Sequence, residues 1–252
     1  MMSRINRMVC VCLVSLFSAA AARAETVEEV EKKISEQSKK IKSMSMKMKS
    51  MSDASGPGTN TKSTLEGTYE YMMDGPKTLS RTDVLTQSQI DAGGNKLEQK
   101  SKSLSISDGD YLYVLTEQGG QKYATKMKAS DRSMSTKLDD LRQWYDFKLL
   151  PDETIDGKPC YALELTPKKG SPVGEGTGKN RHYYQKDTCV LVKAVVFGPE
   201  GKIVSTTTYS DIRINPSLGK DRFTFTPPPG VQVQDFTGMT STPPPMPKGE
   251  KP

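Results

Sequence analysis

Histidine is almost missing from this chain: His182 is the only one in 252 residues. That removes His-rich metal sites and leaves one candidate for an acid–base triad. His182 sits in the strand-like run "RHYY", where a structural or surface role is the plainer reading. No P-loop, GxSxG or GxGxxG fingerprint is present, and Asp139-Asp140 read as an exposed helix face rather than a metal or proton-transfer pair. With no visible carrier of catalysis, the expectation is a protein that is not an enzyme and takes no cofactor.

Long hydrophobic runs are also absent, with one exception at the N-terminus. Arg4 and Arg7 precede "MVCVCLVSLFSAAAA", and Ala22-Arg23-Ala24 follows. These are the charged, apolar and cleavage regions of a secretory signal, so residues 1–24 are set aside and cleavage is expected after Ala24. The run is short for a membrane span, and Cys10 and Cys12 lie too far upstream to become a lipidated N-terminus. Losing Arg4, Arg7 and Arg23 lowers the formal net charge from +6 to +3. That mild charge, without a basic patch interleaved with aromatics, argues against nucleic acid.

Only Cys160 and Cys189 remain after processing, and they lack CxxC spacing. Export to an oxidising compartment favours a disulfide between them, and two buried free thiols are the alternative.

What is present is alternation. Thr26-Val27-Glu28-Glu29 fits a capping box, and Val27, Val30, Ile34 and Ile41 follow at helical spacing. At Ser43 the period changes to two, with Met44, Met46 and Met48 on alternate residues of "SMSMKMKSM". Beyond the turn "SDASGPGTNT", Leu65, Tyr69, Tyr71 and Met73 share one face. Short strand-like runs separated by Gly-rich turns continue to about residue 128, as in an antiparallel meander. A second helix is expected between Ser133 and Leu150, with Leu138, Leu141, Trp144, Tyr145 and Leu149 along one side. Strands resume from "CYALEL" to "KIVSTTTYSDIRI". The three prolines of "DRFTFTPPPGV" should end the sheet, and residues 238–252 should be a disordered Pro-rich tail. The expectation is one domain, residues 25–237, mainly β, with a single curved antiparallel sheet.

The stretch "VVFGPEGKIVSTTTYSDIRINPSLGKDRFTFTPPPGVQVQD" resembles the close of the periplasmic outer-membrane lipoprotein carrier family, LolA and its relatives, through its "FTFTPP.GV" signature at Phe223 to Val231. Ser107-Asp108-Gly109 is similar to that family's "SDG" turn. The resemblance covers the order of elements from about Thr26 to Asp235. It implies an incomplete, half-open β-barrel covered by α-helices, whose apolar cavity takes the acyl chains of a lipoprotein or other lipid. It also implies a monomeric periplasmic carrier, with an inner-membrane transporter and an outer-membrane receptor as partners. The expected cavity residues are Met44, Met46, Met48, Leu65, Tyr69, Tyr71, Met73, Leu79, Leu138, Leu141 and Trp144. In "MMDGPKTLS", Gly75 and Leu79 stand where many carriers have a basic residue and an aromatic, which puts the transport partners in question.

Three readings of the methionines stay open, of which the plainest is ordinary core. Unbranched, polarizable Met suits a wall for irregular acyl chains. Thioethers also select Cu(I), with Met44, Met46 and Met48 as ligands, although no nearby His or Cys completes such a site. A lipoprotein-sensing module of the same fold is the remaining alternative.

Overall fold

The computed structural model describes residues 25–56, 58–129, 138–171 and 178–238. The expected signal peptide and the expected C-terminal tail from residue 239 lie outside the described residues.

Helix α1, Val27–Ser38, begins with the capping box. The Thr26 hydroxyl accepts from the Glu29 amide at 3.3 Å, and the Thr26 amide donates to the Glu29 carboxylate at 2.8 Å. Two orphan amide donors are thereby satisfied. Its apolar stripe buries Val30 and Ile34.

Six strands follow: β1 Ser43–Gly56, β2 Thr59–Asp74, β3 Lys77–Ala92, β4 Asn95–Ser107, β5 Tyr111–Gln118 and β6 Gln121–Lys128. After a single helical turn, α2 Leu138–Leu141, come β7 Tyr145–Ile155, β8 Lys158–Pro167, β9 Asn180–Gln185, β10 Leu191–Phe197 and β11 Ile203–Ile214. A 3-10 turn at Lys220–Phe223 leads to the short β12, Val233–Asp235. The twelve strands of the described residues form one sheet in the order β12-β6-β5-β4-β3-β2-β1-β11-β10-β9-β8-β7. The edge strands β12 and β7 do not pair, so the sheet is open.

Tight turns fix the register. Gly93-Gly94 and Gly119-Gly120 are two-residue loops with positive φ at both positions, the backbone that a type I′ hairpin requires. A slip of one residue would turn every side chain to the other face, so these loops settle which residues look inward. Gly67 acts differently. A Cβ there would lie 2.1 Å from the Asp83 carbonyl oxygen and 2.7 Å from a Val84 methyl, so only glycine permits this close approach of β2 and β3.

Three sequence expectations are corrected. Among the described residues the covering helix is one turn, Leu138–Leu141, because β7 occupies residues 145–155; the expected start at Ser133 lies outside the described residues. Tyr145, Phe147 and Leu149 alternate with Asp146 and Lys148, and the four-residue spacing of Leu141, Tyr145 and Leu149 imitates a helix. The prolines do not end the sheet either. After Pro229 the chain adds β12 parallel to β6, with Phe223 buried and Phe225 stacked on Tyr113 at 5.1 Å.

The third correction concerns the cysteines, which are buried free thiols. Strand alternation places Cys160 with Ala162 and Tyr183 on one side of the sheet. Cys189 packs with Tyr161, Leu163 and Tyr184 on the other. It sits in a turn at φ 54, its amide donating to the Gln185 carbonyl at 2.7 Å. A disulfide would need one sulfur to cross the sheet, which disulfide geometry forbids without backbone movement. Burial raises the pKa of both thiols, so they are poor nucleophiles.

Candidate functional site

The register brings the methionines to one place. Met44 pairs with Tyr71, Met46 with Tyr69 and Met48 with Gly67 across β1 and β2, while Met48 pairs with Tyr209 across β1 and β11. These side chains share the face that α1 partly covers. On β1 the outward residues Lys47, Lys49 and Met51 are exposed, whereas Met44 and Met48 are buried.

Between this wall and α1 lies a cavity of about 140 Å³. Met44, Met46, Tyr69 and Tyr71 form one side. Ile34 and Leu138 close it from the helices, and Tyr184, Val190, Leu191 and Tyr209 complete it from β9 to β11. The Tyr69 and Tyr71 rings are tilted at a centroid distance of 6.0 Å. Burial raises the phenol pKa of Tyr71, Tyr184 and Tyr209, so the lining is uncharged at any physiological pH. Desolvation also pushes the imidazole of His182, on the same face of β9, down to about 4. The Tyr184 hydroxyl lies 3.4 Å from its Nδ1.

The edge of the cavity is tied down by charge. Arg142, just after α2, donates to the Glu31 carboxylate of α1 at 2.5 Å and approaches Glu28 at 3.9 Å. Lys33 pairs with Glu25 and reaches the Tyr161 hydroxyl. These partly exposed pairs fix α1 over β8 and add modest stability.

Of the residues expected at the site, Met44, Met46, Tyr69, Tyr71 and Leu138 line the cavity. Met48 is buried one step along the wall, and Leu65 packs against the same cluster. Leu141 packs under α1 beside the cavity. Three expected residues are elsewhere. Trp144 follows α2 and is 39% exposed. Met73 is also 39% exposed at the end of β2, its sulfur accepting from the Thr78 hydroxyl. Leu79 pairs with Met72 and faces the opposite side of the sheet from Tyr71. The lining residues not foreseen, chiefly Ile34, Tyr184, Val190 and Tyr209, come from parts of the chain far apart in sequence.

Among the described residues no cluster of three or more His, Cys, Asp or Glu could hold a metal ion. Met44, Met46 and Met48 are spaced about 6.6 Å apart along an extended strand, at roughly 3.3 Å per residue. That spacing suits a continuous wall more readily than a convergent thioether site.

An uncharacterized protein of Methanocaldococcus jannaschii is 23% identical over 144 residues, or 55% of this chain. The match spans 40% of that protein's length. Similar solved structures include the MucA/MucB complex of Pseudomonas aeruginosa, at 14% identity, 77% and 61% coverage of the two chains and a TM-score of 0.42. The lipoprotein LppX of Mycobacterium tuberculosis is another, with 14% identity, 76% and 96% coverage and a TM-score of 0.43. A LolA superfamily protein of Nitrosomonas europaea shows 16% identity, 80% and 99% coverage and a TM-score of 0.30. A family model described as an uncharacterized protein matches residues 98–223, half of the chain, and the chain belongs to that family.

Proposed function

We propose that the protein is an exported carrier that shelters acyl chains of a lipoprotein or another lipid against the methionine wall. The observation that supports this most is the apolar cavity where α1 meets Met44, Met46, Tyr69 and Tyr71. Its volume, about 140 Å³, is below the roughly 300–1,000 Å³ of pockets that enclose a whole small molecule. It therefore takes the end of a chain, and the rest lies along the concave face past Met48 and Leu65. Each methylene removed from water contributes about 0.8 kcal/mol. Several such groups offset the cost of ordering the chain.

A pyrene-tagged monoglyceride, an uncharged acyl probe, tests this. The probe should bind saturably to the mature chain, and Met46→Glu should weaken it by about tenfold or more by placing a carboxylate in the apolar wall. Met51→Glu is the control, since Met51 is 55% exposed on the opposite face of the same strand. Equal effects of the two replacements, with circular dichroism unchanged in both, would remove the Met46 face from the site.

A further inference from the structure

Resting on that acyl-binding reading, we infer that the cargo carries an uncharged, hydroxyl-rich head, of the kind found in glycosylated lipids. The head lies along the concave face where the methionine wall gives way to serines.

The inference comes from register. Counting outward from Met46, the same face of the sheet presents Ser50 on β1, Ser63 on β2, Ser88 on β3, and Ser101, Ser103 and Ser105 on β4. All six are half-buried, as befits a concave surface. Their orientation is supported by cross-strand contacts: Ser63 and Ser88 hydroxyls are 2.8 Å apart, and the Thr207 hydroxyl donates to Ser50 at 3.0 Å. Among the described strand residues from β11 across to β6, this face carries no Asp, Glu, Lys or Arg in register. At its rim, Asp53, Lys62, Glu98 and Lys100 line the same cavity as Ser63 and Ser88.

The opposite face of the same strands is its chemical inverse. Lys49, Lys62, Glu66, Asp83, Lys100 and Lys102 alternate with the serines and are exposed. They form ion pairs such as Lys49–Glu66 at 2.6 Å and Lys62–Asp53 at 3.8 Å. Charge is plentiful in these strands and is confined to one side.

A phosphate or carboxylate head would lose water and meet no cation on that face, and at its rim Lys62 and Lys100 come with Asp53 and Glu98, so no net positive charge offsets the loss. Sugar or glyceryl hydroxyls would exchange water for serine hydroxyls, each of which offers one donor and two acceptors. The concave face thus runs from thioether and tyrosine at the α1 end to hydroxyls over the middle of β1 to β4, with Ile90 and Leu97 beyond them, matching the acyl-to-head order of an amphiphile laid lengthwise. Its gradient is continuous with the acyl cavity through Met48 and Leu65.

Competition against the bound pyrene-tagged monoglyceride tests this on the mature chain, using monogalactosyl diacylglycerol and phosphatidylglycerol with the same acyl chains. The galactolipid should displace the probe at about tenfold lower concentration or less. Replacing Ser88, Ser101 and Ser103 together by Ala should shrink that advantage to about threefold or less with circular dichroism unchanged. Equal or better displacement by phosphatidylglycerol would overturn the inference and leave the acyl site standing. If neither the probe nor either lipid binds, the acyl-binding reading fails and the inference fails with it.

Discussion

His182 offers a direct test of how dry the concave face is. Its imidazole pKa falls from 6.5 to about 4 because burial penalises the cation. The unfolded chain, with an ordinary histidine, therefore binds more protons between these two values, and stability must fall as pH is lowered through that window. At about 1.36 kcal/mol per pH unit, that window corresponds to about 3 kcal/mol in full, most of it gone by pH 4.5. The carboxylates that salt bridges or hydrogen bonds hold low, Glu164 through Lys179 and Asp211 through Lys47, act with the same sign. Their stabilisation is lost at lower pH, below about 4, so the interval from 6.5 to 4.5 belongs mainly to the imidazole. Urea unfolding of the parent and of His182→Gln across that interval isolates it, since the variant removes the titrating group. The parent should lose about 2 kcal/mol more than the variant. Because there is one histidine, its Cε1 proton resonance also reports the folded pKa without assignment. Parallel pH profiles, or a titration near 6.5, would refute the claim that this face excludes water.

Gly67→Ala should destabilise the fold by about 2 kcal/mol or more in chemical denaturation, because the new methyl meets backbone at 2.1 Å. A cost below about 0.5 kcal/mol would mean that β2 and β3 separate freely at that point. Oxidised, exported protein should yield both Cys160 and Cys189 as free thiols when titrated after denaturation, and non-reducing peptide mapping that found them linked would contradict the opposite-face packing. Combined replacement of Met44, Met46 and Met48 by Leu should keep acyl affinity within about tenfold, or about 1.4 kcal/mol, because Leu supplies similar apolar volume. Tight Cu(I) binding by the parent that vanishes in this variant, with acyl binding absent from both, would instead assign the wall to metal.

Local order was legible wherever one short-range rule governs the chain. The capping box at Thr26 and Glu29, the alternation of Met44, Met46 and Met48, and the Gly-Gly turns each depend on a few adjacent residues, and each appears where the pattern places it. The wall on β1 and β2 followed, since a two-residue period needs no knowledge of partners. The opposite wall did not. Tyr184 and Tyr209 reach the cavity because β11 pairs with β1 across more than 150 residues of chain, and no local pattern encodes that pairing. Ile34 stood on the apolar stripe of α1, but the stripe does not say what it faces, and Ile41, expected on it, lies beyond the helix end at Ser38. The helix expected through Leu150 gives way to β7 at Tyr145 because apolar spacing of three and four there overlaps spacing of two, and Trp144 and Leu149 followed that error. Leu79 was placed by analogy with a family position, whereas its pairing with Met72 fixes the other face. The cysteines show the same limit: strand-like surroundings were legible, but not that Cys189 sits in a turn or that the two thiols face opposite sides.

The most direct test of the account is mass spectrometry of organic extracts from the protein purified from its native envelope without added lipid. An acyl carrier should bring acylated species with it in reproducible stoichiometry, and Met46→Glu should arrive depleted of them while Met51→Glu does not. An extract free of acylated molecules from folded parent protein, or one that Met46→Glu leaves unchanged, would contradict the claim that the methionine wall shelters acyl chains.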